Sequence, residues 1–278
     1  MNMNSKNSIL LVDPDFDVSS ADNCDLLIKI TADNFSYAII DGSENRLVVL
    51  YDQQECKNVA AALNDVLSDD QHLAIPFKTV KASVYTQNSI AIPNEFFDAE
   101  NLNTYAKFFS KEQSEQLHLQ NLAGQDFTTI FNLDDTMEAL LKSTFGISKI
   151  YDHMAPLLVL SSILPEKHLI LDFTVGTFTA VLTEAGKLIF ENCYETEDAE
   201  EFKYYLLLMI QQLEIDTKET KISVSGIIHE GDKKFDALNH YFSEIVFNTT
   251  NANKLDNRIL DNMPSQYYSS LLALQLCE

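Results

Sequence analysis

With 278 residues, 46% of them hydrophobic, the chain can bury one large core or two moderate ones. Its 42 Asp and Glu against 19 Lys and Arg, a formal charge of -23, set it against phosphate backbones and anionic lipid, which excludes nucleic acid as a natural partner but not a basic protein. Cys24, Cys56, Cys193 and Cys277 have no metal-ligand spacing and read as reduced thiols, and the early apolar run Ile9 to Val12 is too short for a signal peptide or a span, so a cytoplasmic protein without membrane insertion is expected.

Residues 1–24 are polar and acidic. Asp13, Asp15 and Asp17 alternate like a calcium loop, but Val18 stands where that loop needs glycine and Cys24 where it needs a bidentate Glu, so a mobile or edge-lying segment is expected. From Asp25 the pattern turns to strands: Leu26 to Ile30, a turn at Thr31 to Asn34, Phe35 to Asp41, the hairpin Asp41-Gly42-Ser43, and Leu47 to Asp52. Val59, Leu63, Val66 and Leu67 then fall at helical spacing within Glu55 to Leu67. Thr79 to Tyr85 and Ser89 to Ile92 return to period two, closed by Pro93 and the acidic-aromatic run Asn94 to Asp98. Between 99 and 125 only a short helix, Leu102 to Phe109, is legible. Phe127 to Leu133 reads as a strand, and Asp134 or Asp135 caps a helix ending at Gly146. Ile147 to Tyr151 is strand-like, and a helix from Asp152 to Leu164 carries Pro156 in its first turn.

The second half is the clearer one. His168 to Phe190 reads as a meander of two strands and the start of a third, completed by Cys193, and Asp198 with Glu201 forms a capping-box signal before Phe202, Tyr205, Leu206, Met209, Ile210 and Leu213. Helix capping, not metal ligation, accounts for the acids from Glu195 to Glu201. A strand at Lys221 to Ile228, a helix at Lys233 to Phe242, a strand at Glu244 to Asn248 and a terminal helix at Tyr267 to Leu276 follow. Leu26, Ile28, Thr31 and Phe35 align without a gap on Leu169, Leu171, Thr174 and Phe178, a constant offset of 143 (178 minus 35), so the meander is duplicated and two facing half-domains are expected. An N-terminal segment 1–24, a first lobe 25–165 and a second lobe 166–278 follow from that repeat.

Three strands, then helix, strand, helix, strand, helix, used twice, resembles the duplicated ribonuclease-H-like fold of the actin, chaperone-ATPase and sugar-kinase superfamily: an α/β chain with mixed sheets in an actin-like ATPase arrangement. Asp172, Gly176 and Thr177 in LDFTVGTFTAVL look like that superfamily's second phosphate loop, and Val224-Ser225-Gly226-Ile227 like half of its adenosine-side glycine pair. Through FSYAIID, SIAIPNEFFD and LDFTVGTFTAVL the chain is most similar to an uncharacterised Bacteroidetes family known only as a domain of unknown function.

An active member places Asp and Gly in the first turn, so that N–H groups approach phosphate and a carboxylate holds the metal shell. Here Lys29 takes the position of Asp172, Thr31-Ala32-Asp33-Asn34 has no glycine, Thr174 stands where the second turn expects one, and the whole chain has only 7 glycines. A non-glycine residue in a left-handed turn costs about 1–2 kcal/mol, so these turns read as having lost the nucleotide. If the meanders face each other about a pseudo-twofold, Lys29 and Asp172 form an inter-lobe ion pair where metal and phosphate sit in ATPases. The expectation is a non-catalytic scaffold or adaptor with an unidentified protein partner and no catalytic, metal or cofactor site. The alternative is an ATP binder or slow ATPase using magnesium, with Asp172 near the metal, Gly176 and Thr177 at phosphate and Gly226 beside adenosine. His153 beside Asp152 reads as structural, and Ser225 as a strand-end residue.

Overall fold

The computed structural model describes residues 7–18, 23–109, 116–146, 149–161, 165–249 and 255–278. In chain order, β1 (Ser8–Val12) lies at a sheet edge against β4, after which β2 (Cys24–Ile30), β3 (Phe35–Asp41) and β4 (Arg46–Gln53) form the first meander. Helix α1 (Val59–Asp69) starts later than its apolar spacing implies, because Glu55 has φ 55° and Asn58 is the cap, accepting from Ala61 N. β5 (Thr79–Val84) is followed by an insertion: β6 (Ser89–Pro93), the short α2 (Leu102–Tyr105), β7 (His118–Asn121) and β8 (Phe127–Phe131), paired as a three-stranded sheet β6-β8-β7. β7 sits in the stretch where the sequence shows no clear period: its burial alternates, but the inward residues are the polar His118 and Gln120 and the outward ones Leu119 and Asn121, so no apolar alternation marks it.

Helix α3 (Asp135–Phe145) is capped by Asp134 and stopped by Gly146, whose φ of 54° is left-handed. β9 (Lys149–Asp152) pairs in parallel with β5, and α4 (Ala155–Leu160) begins only after Asp152, which belongs to the sheet. The helix expected to reach Leu164 stops at Leu160, where Ser161 turns to extended backbone, while the expected strand start at Ile147 and part of the 1–24 segment lie outside the described residues. The second half runs β10 (Lys167–Phe173), β11 (Thr177–Glu184), β12 (Lys187–Glu195), α5 (Ala199–Gln212), β13 (Lys221–Gly226), α6 (Lys233–Tyr241) and β14 (Ile245–Phe247), and the chain closes with α7 (Ser269–Leu272) and a 3-10 turn to Leu276. The capping box before α5 is modified: Asp198 accepts from Glu200 N and Glu201 N, while the Glu201 carboxylate reaches back to Glu197 N rather than to the cap residue.

The two sheets share one plan. Strand order β4-β3-β2-β5-β9 in the first is β12-β11-β10-β13-β14 in the second, with β1 added outside β4. Even the irregularities repeat: a bulge between Ile39 and Ile40 corresponds to one between Leu182 and Thr183. The sheets are covered on both faces, which is why β2 and β10 read as nearly continuous apolar runs. Leu26, Ile28 and Ile30 face α1 and α3; Leu169, Leu171 and Phe173 face α5 and α6. The alternate residues Leu27 and Ile170 enter a third core between the halves, shared with α4 and with Tyr268, Leu271, Leu272 and Leu274 of the closing segment.

A polar clamp accompanies that shared core. His153 Nε2 lies 3.0 Å from Glu191 Oε1 on β12, its Nδ1 lies 3.4 Å from Asp152, and Tyr85 packs edge-on to its ring. Burial alone would lower the imidazole pKa, but the Asp152 and Glu191 carboxylates outweigh it and raise it to about 10. A folded-state value above the ordinary 6.5 adds stability that is complete below pH 6.5 and lost as pH rises through about 10. His153→Gln is therefore expected to cost about 3–5 kcal/mol in urea unfolding near neutral pH. The gap to the parent protein should close as the titration is carried through that window; a gap independent of pH would contradict the clamp.

Candidate functional site

The two meander turns have the same local chemistry. Thr31 N donates to Asn34 O at 2.9 Å and Thr174 N to Thr177 O at 3.0 Å. In each, the threonine hydroxyl also accepts from the N–H three residues on, at 3.0 Å from Asn34 N and 2.9 Å from Thr177 N. This threonine-closed turn needs no glycine at its first position, which corrects the inference that Thr174 spoils the second turn.

Between the turns sits a residue that sequence reasoning passed over. The Asp33 carboxylate, at the tip of the first turn, is set into the second: Gly176 N donates to Oδ2 at 3.2 Å, Thr177 Oγ1 donates to Oδ1 at 3.2 Å, and Thr174 Oγ1 lies 3.0 Å from Oδ1. At Gly176 the approach is close: a Cβ there would lie 3.0 Å from Asp33 Oδ2, so the carboxylate would have to give by a few tenths of an ångström. Val175 N is taken as well, donating to Gln54 Oε1 at 3.3 Å. The second turn thus presents its N–H and hydroxyl groups to a carboxylate and an amide from the first half. The signal lay in the repeat: Asp33 and Gly176 are separated by 143 residues, the same offset as the meanders.

One strand residue deeper, Lys29 Nζ lies 2.5 Å from Asp172 Oδ2, with both side chains buried, and donates to Ser270 Oγ at 2.7 Å. Ser225, read from sequence as a plain strand end, donates to Asp172 Oδ1 at 2.6 Å. Asp52 and Asn34 complete the floor: Asn34 Nδ2 donates to Asp52 at 3.4 Å and Gln54 Nε2 at 2.9 Å. Burial pushes the Asp52 carboxyl above the ordinary carboxylate range, against the pull of Gln54 and Lys29.

Gly226 is held by backbone, not by open space. Its φ is 78°, a Cβ would lie 2.0 Å from Phe173 O, and its N–H donates to Gln266 O at 3.0 Å. Gln266 in turn donates from Nε2 to Ile228 O at 2.6 Å, so the closing segment lies across this strand end.

Taken together, the residues present do not fit a magnesium–triphosphate group. The space left among Lys29, Asn34, Asp52, Thr174, Tyr268 and Ser270 is about 10 Å³, at the lower limit for one water. Lys29 stands where a cation would neutralise Asp172, and Asp33 occupies the turn's donors. A wider groove of about 950 Å³ opens between the starts of α1 and α3, but Asp134 and Glu195 line it, which disfavours phosphate. Among the described residues no cluster of His, Cys, Asp and Glu could hold a metal ion, and no helix is long and apolar enough to cross a membrane.

Removing Lys29 leaves a buried Asp172 without its counter-charge. Lys29→Met is expected to lose about 3–5 kcal/mol in urea unfolding, and Lys29→Met with Asp172→Leu to regain most of it. Additive losses would show the pair to be uncoupled. Gly226→Ala, forced into a left-handed conformation against Phe173 O, is expected to cost more than about 2 kcal/mol by the same measurement.

A family model described as "Protein of unknown function (DUF3822)" matches residues 13–245. No curated protein matches the chain. Among solved structures, the chain is similar to a Bacteroides thetaiotaomicron protein with an actin-like ATPase fold and unknown function, at 19% identity and a TM-score of 0.72, over 95% of this chain and 99% of that one. It is also similar to the PilM-PilN type IV pilus biogenesis complex (12% identity, TM-score 0.53, 90% and 97% covered). A third likeness is to the ethanolamine utilization protein EutJ from Carboxydothermus hydrogenoformans (8%, 0.51, 96% and 93%). At such identities the likenesses show the fold alone. The duplicated sheets, their facing turns and the match along most of the chain lead to one conclusion: this protein has the actin-like ATPase fold and belongs to the family of proteins of unknown function DUF3822.

Proposed function

We propose that this protein is a non-catalytic cytoplasmic adaptor or scaffold, in which the chain's own side chains take the places that metal and phosphate occupy in the ATPases it resembles. The observation that carries the reading is the Asp33 carboxylate seated on Gly176 N, Thr174 and Thr177, with the Lys29 ammonium beside Asp172 below it. An internal anion satisfies the donors of the turn and an internal cation satisfies the carboxylate of the strand, so a nucleotide would have to displace both at once.

With the cleft filled, the faces left for function are outward ones, and a body of charge -23 favours a protein partner carrying basic groups. The PilM-PilN complex supplies a precedent for this fold assembled with another protein, which is support by analogy of fold only. All four cysteines are free thiols, and burial raises the pKa of each, to about 11 for Cys193 and about 12 for Cys277, in keeping with a reducing compartment and with no thiolate chemistry.

Calorimetric titration of the full chain with ATP and magnesium is expected to give no saturable heat. Saturable binding that Asp172→Ala weakens would overturn the adaptor reading in favour of an ATP binder with Asp172, Gly176, Thr177 and Gly226 at its site.

A further inference from the structure

The two most exposed large apolar side chains among the described residues are Phe108, 78% exposed, and Phe96, 69% exposed. Both belong to the segment between β6 and β7, and one residue ties their surroundings together. Tyr105 Oη donates to Phe96 O at 3.1 Å and accepts from Asp98 N at 3.0 Å, while its ring stacks on Phe97 at 6.2 Å between centroids. Phe108 follows Tyr105 by one helical turn, so it emerges on the same side of that short helix. The base of the segment is fixed as well: Asn94 N donates to Asp126 O, Thr128 Oγ1 donates to Asn94 Oδ1 at 2.8 Å, and Asp126 N donates to Gly186 O of the β11–β12 turn at 3.0 Å.

Two uncovered phenyl rings are a poor arrangement for a lone surface and a good one for a partner, and the backbone that carries Phe96 is already ordered by the Tyr105 and Asn94 contacts. The neighbouring exposed carboxylates are Glu95, Asp98 and Glu100, with Lys107 the one exposed cation between Phe96 and Phe108. Aromatic rings rimmed by acids select apolar side chains flanked by Arg or Lys, which reach the carboxylates and the ring faces together. An anionic membrane would meet the full negative charge of the chain and is disfavoured.

Resting on the adaptor reading, we propose that the platform around Phe96 and Phe108 is the docking surface for a basic amphipathic helix of a partner protein, with the two phenyl rings as its anchors. The test is a fluorescence anisotropy titration of the full chain with a labelled synthetic helix of leucines and arginines at amphipathic spacing, beside a scrambled peptide of the same composition. The patterned peptide is expected to bind about tenfold or more tightly than the scrambled one, and Phe96→Ser with Phe108→Ser to abolish that preference. Glu95→Gln with Glu100→Gln should weaken the patterned peptide and flatten its salt dependence. Equal binding of the two peptides overturns the proposal, as does a preference that survives in the phenylalanine variant or is indifferent to the carboxylates. Self-association of the chain that the phenylalanine variant abolishes would also overturn it, since a second copy would then cover the rings. These outcomes leave the adaptor reading standing, because the nucleotide titration decides that separately.

Discussion

The structure depends on two contacts in which a position of the repeat meets its own counterpart. Lys29 meets Asp172 and Asp33 meets Gly176, each pair separated by 143 residues. This is what a pseudo-twofold relation between the halves demands, because on such an axis equivalent positions face each other. Had the copies remained identical, these contacts would set lysine against lysine or carboxylate against carboxylate, and like charges at this range in a buried site are strongly unfavourable. At two positions where the copies differ, an ammonium instead faces a carboxylate and a carboxylate faces a backbone N–H.

Around that axis, several polar groups find partners from both halves and from the closing segment. Ser225 and Ser270 flank the ion pair, Gln54 and Asn34 flank Asp52, and Gln266 bridges the strand end at Gly226. The apolar core between the halves is composed in the same way, with β2 and β3, β10 and β11, α4 and α7 contributing to one cluster. Opening the cleft would therefore expose a shared hydrophobic core and strip a buried lysine of its partner in the same motion, which couples cleft closure to the stability of the whole chain. The His153 clamp to Glu191 joins the two halves in the same sense.

The insertion itself departs from the plan of the repeat. Its three strands sit between β5 and α3, where the second half passes directly from β13 to α6. It adds a surface that the second half has no counterpart for, and that surface carries the most exposed aromatic rings among the described residues.

Much of the fold was legible before any coordinates. Alternation and near-continuous apolar runs mark β2 to β4 and β10 to β12, and the caps Asp134, Gly146 and Asp198 announce their helices, because these signals are local: a side chain's parity or a single backbone dihedral decides them. The gapless offset of 143 residues also predicts that Lys29 and Asp172 occupy equivalent positions, so their meeting could be conceived from sequence. What the sequence does not carry is the depth to which one turn enters the other. Ser225 reads as a strand end and Asp33 as an ordinary turn residue; the repeat makes Asp33 and Gly176 equivalent positions, but nothing near either says that the carboxylate reaches the facing N–H, and nothing near Gln266 points to Ile228, 38 residues away. The meeting of the two turns follows from the closing distance between the sheets, which their shared core sets, while Ser225 reaches Asp172 because β13 and β10 pair in parallel at that register.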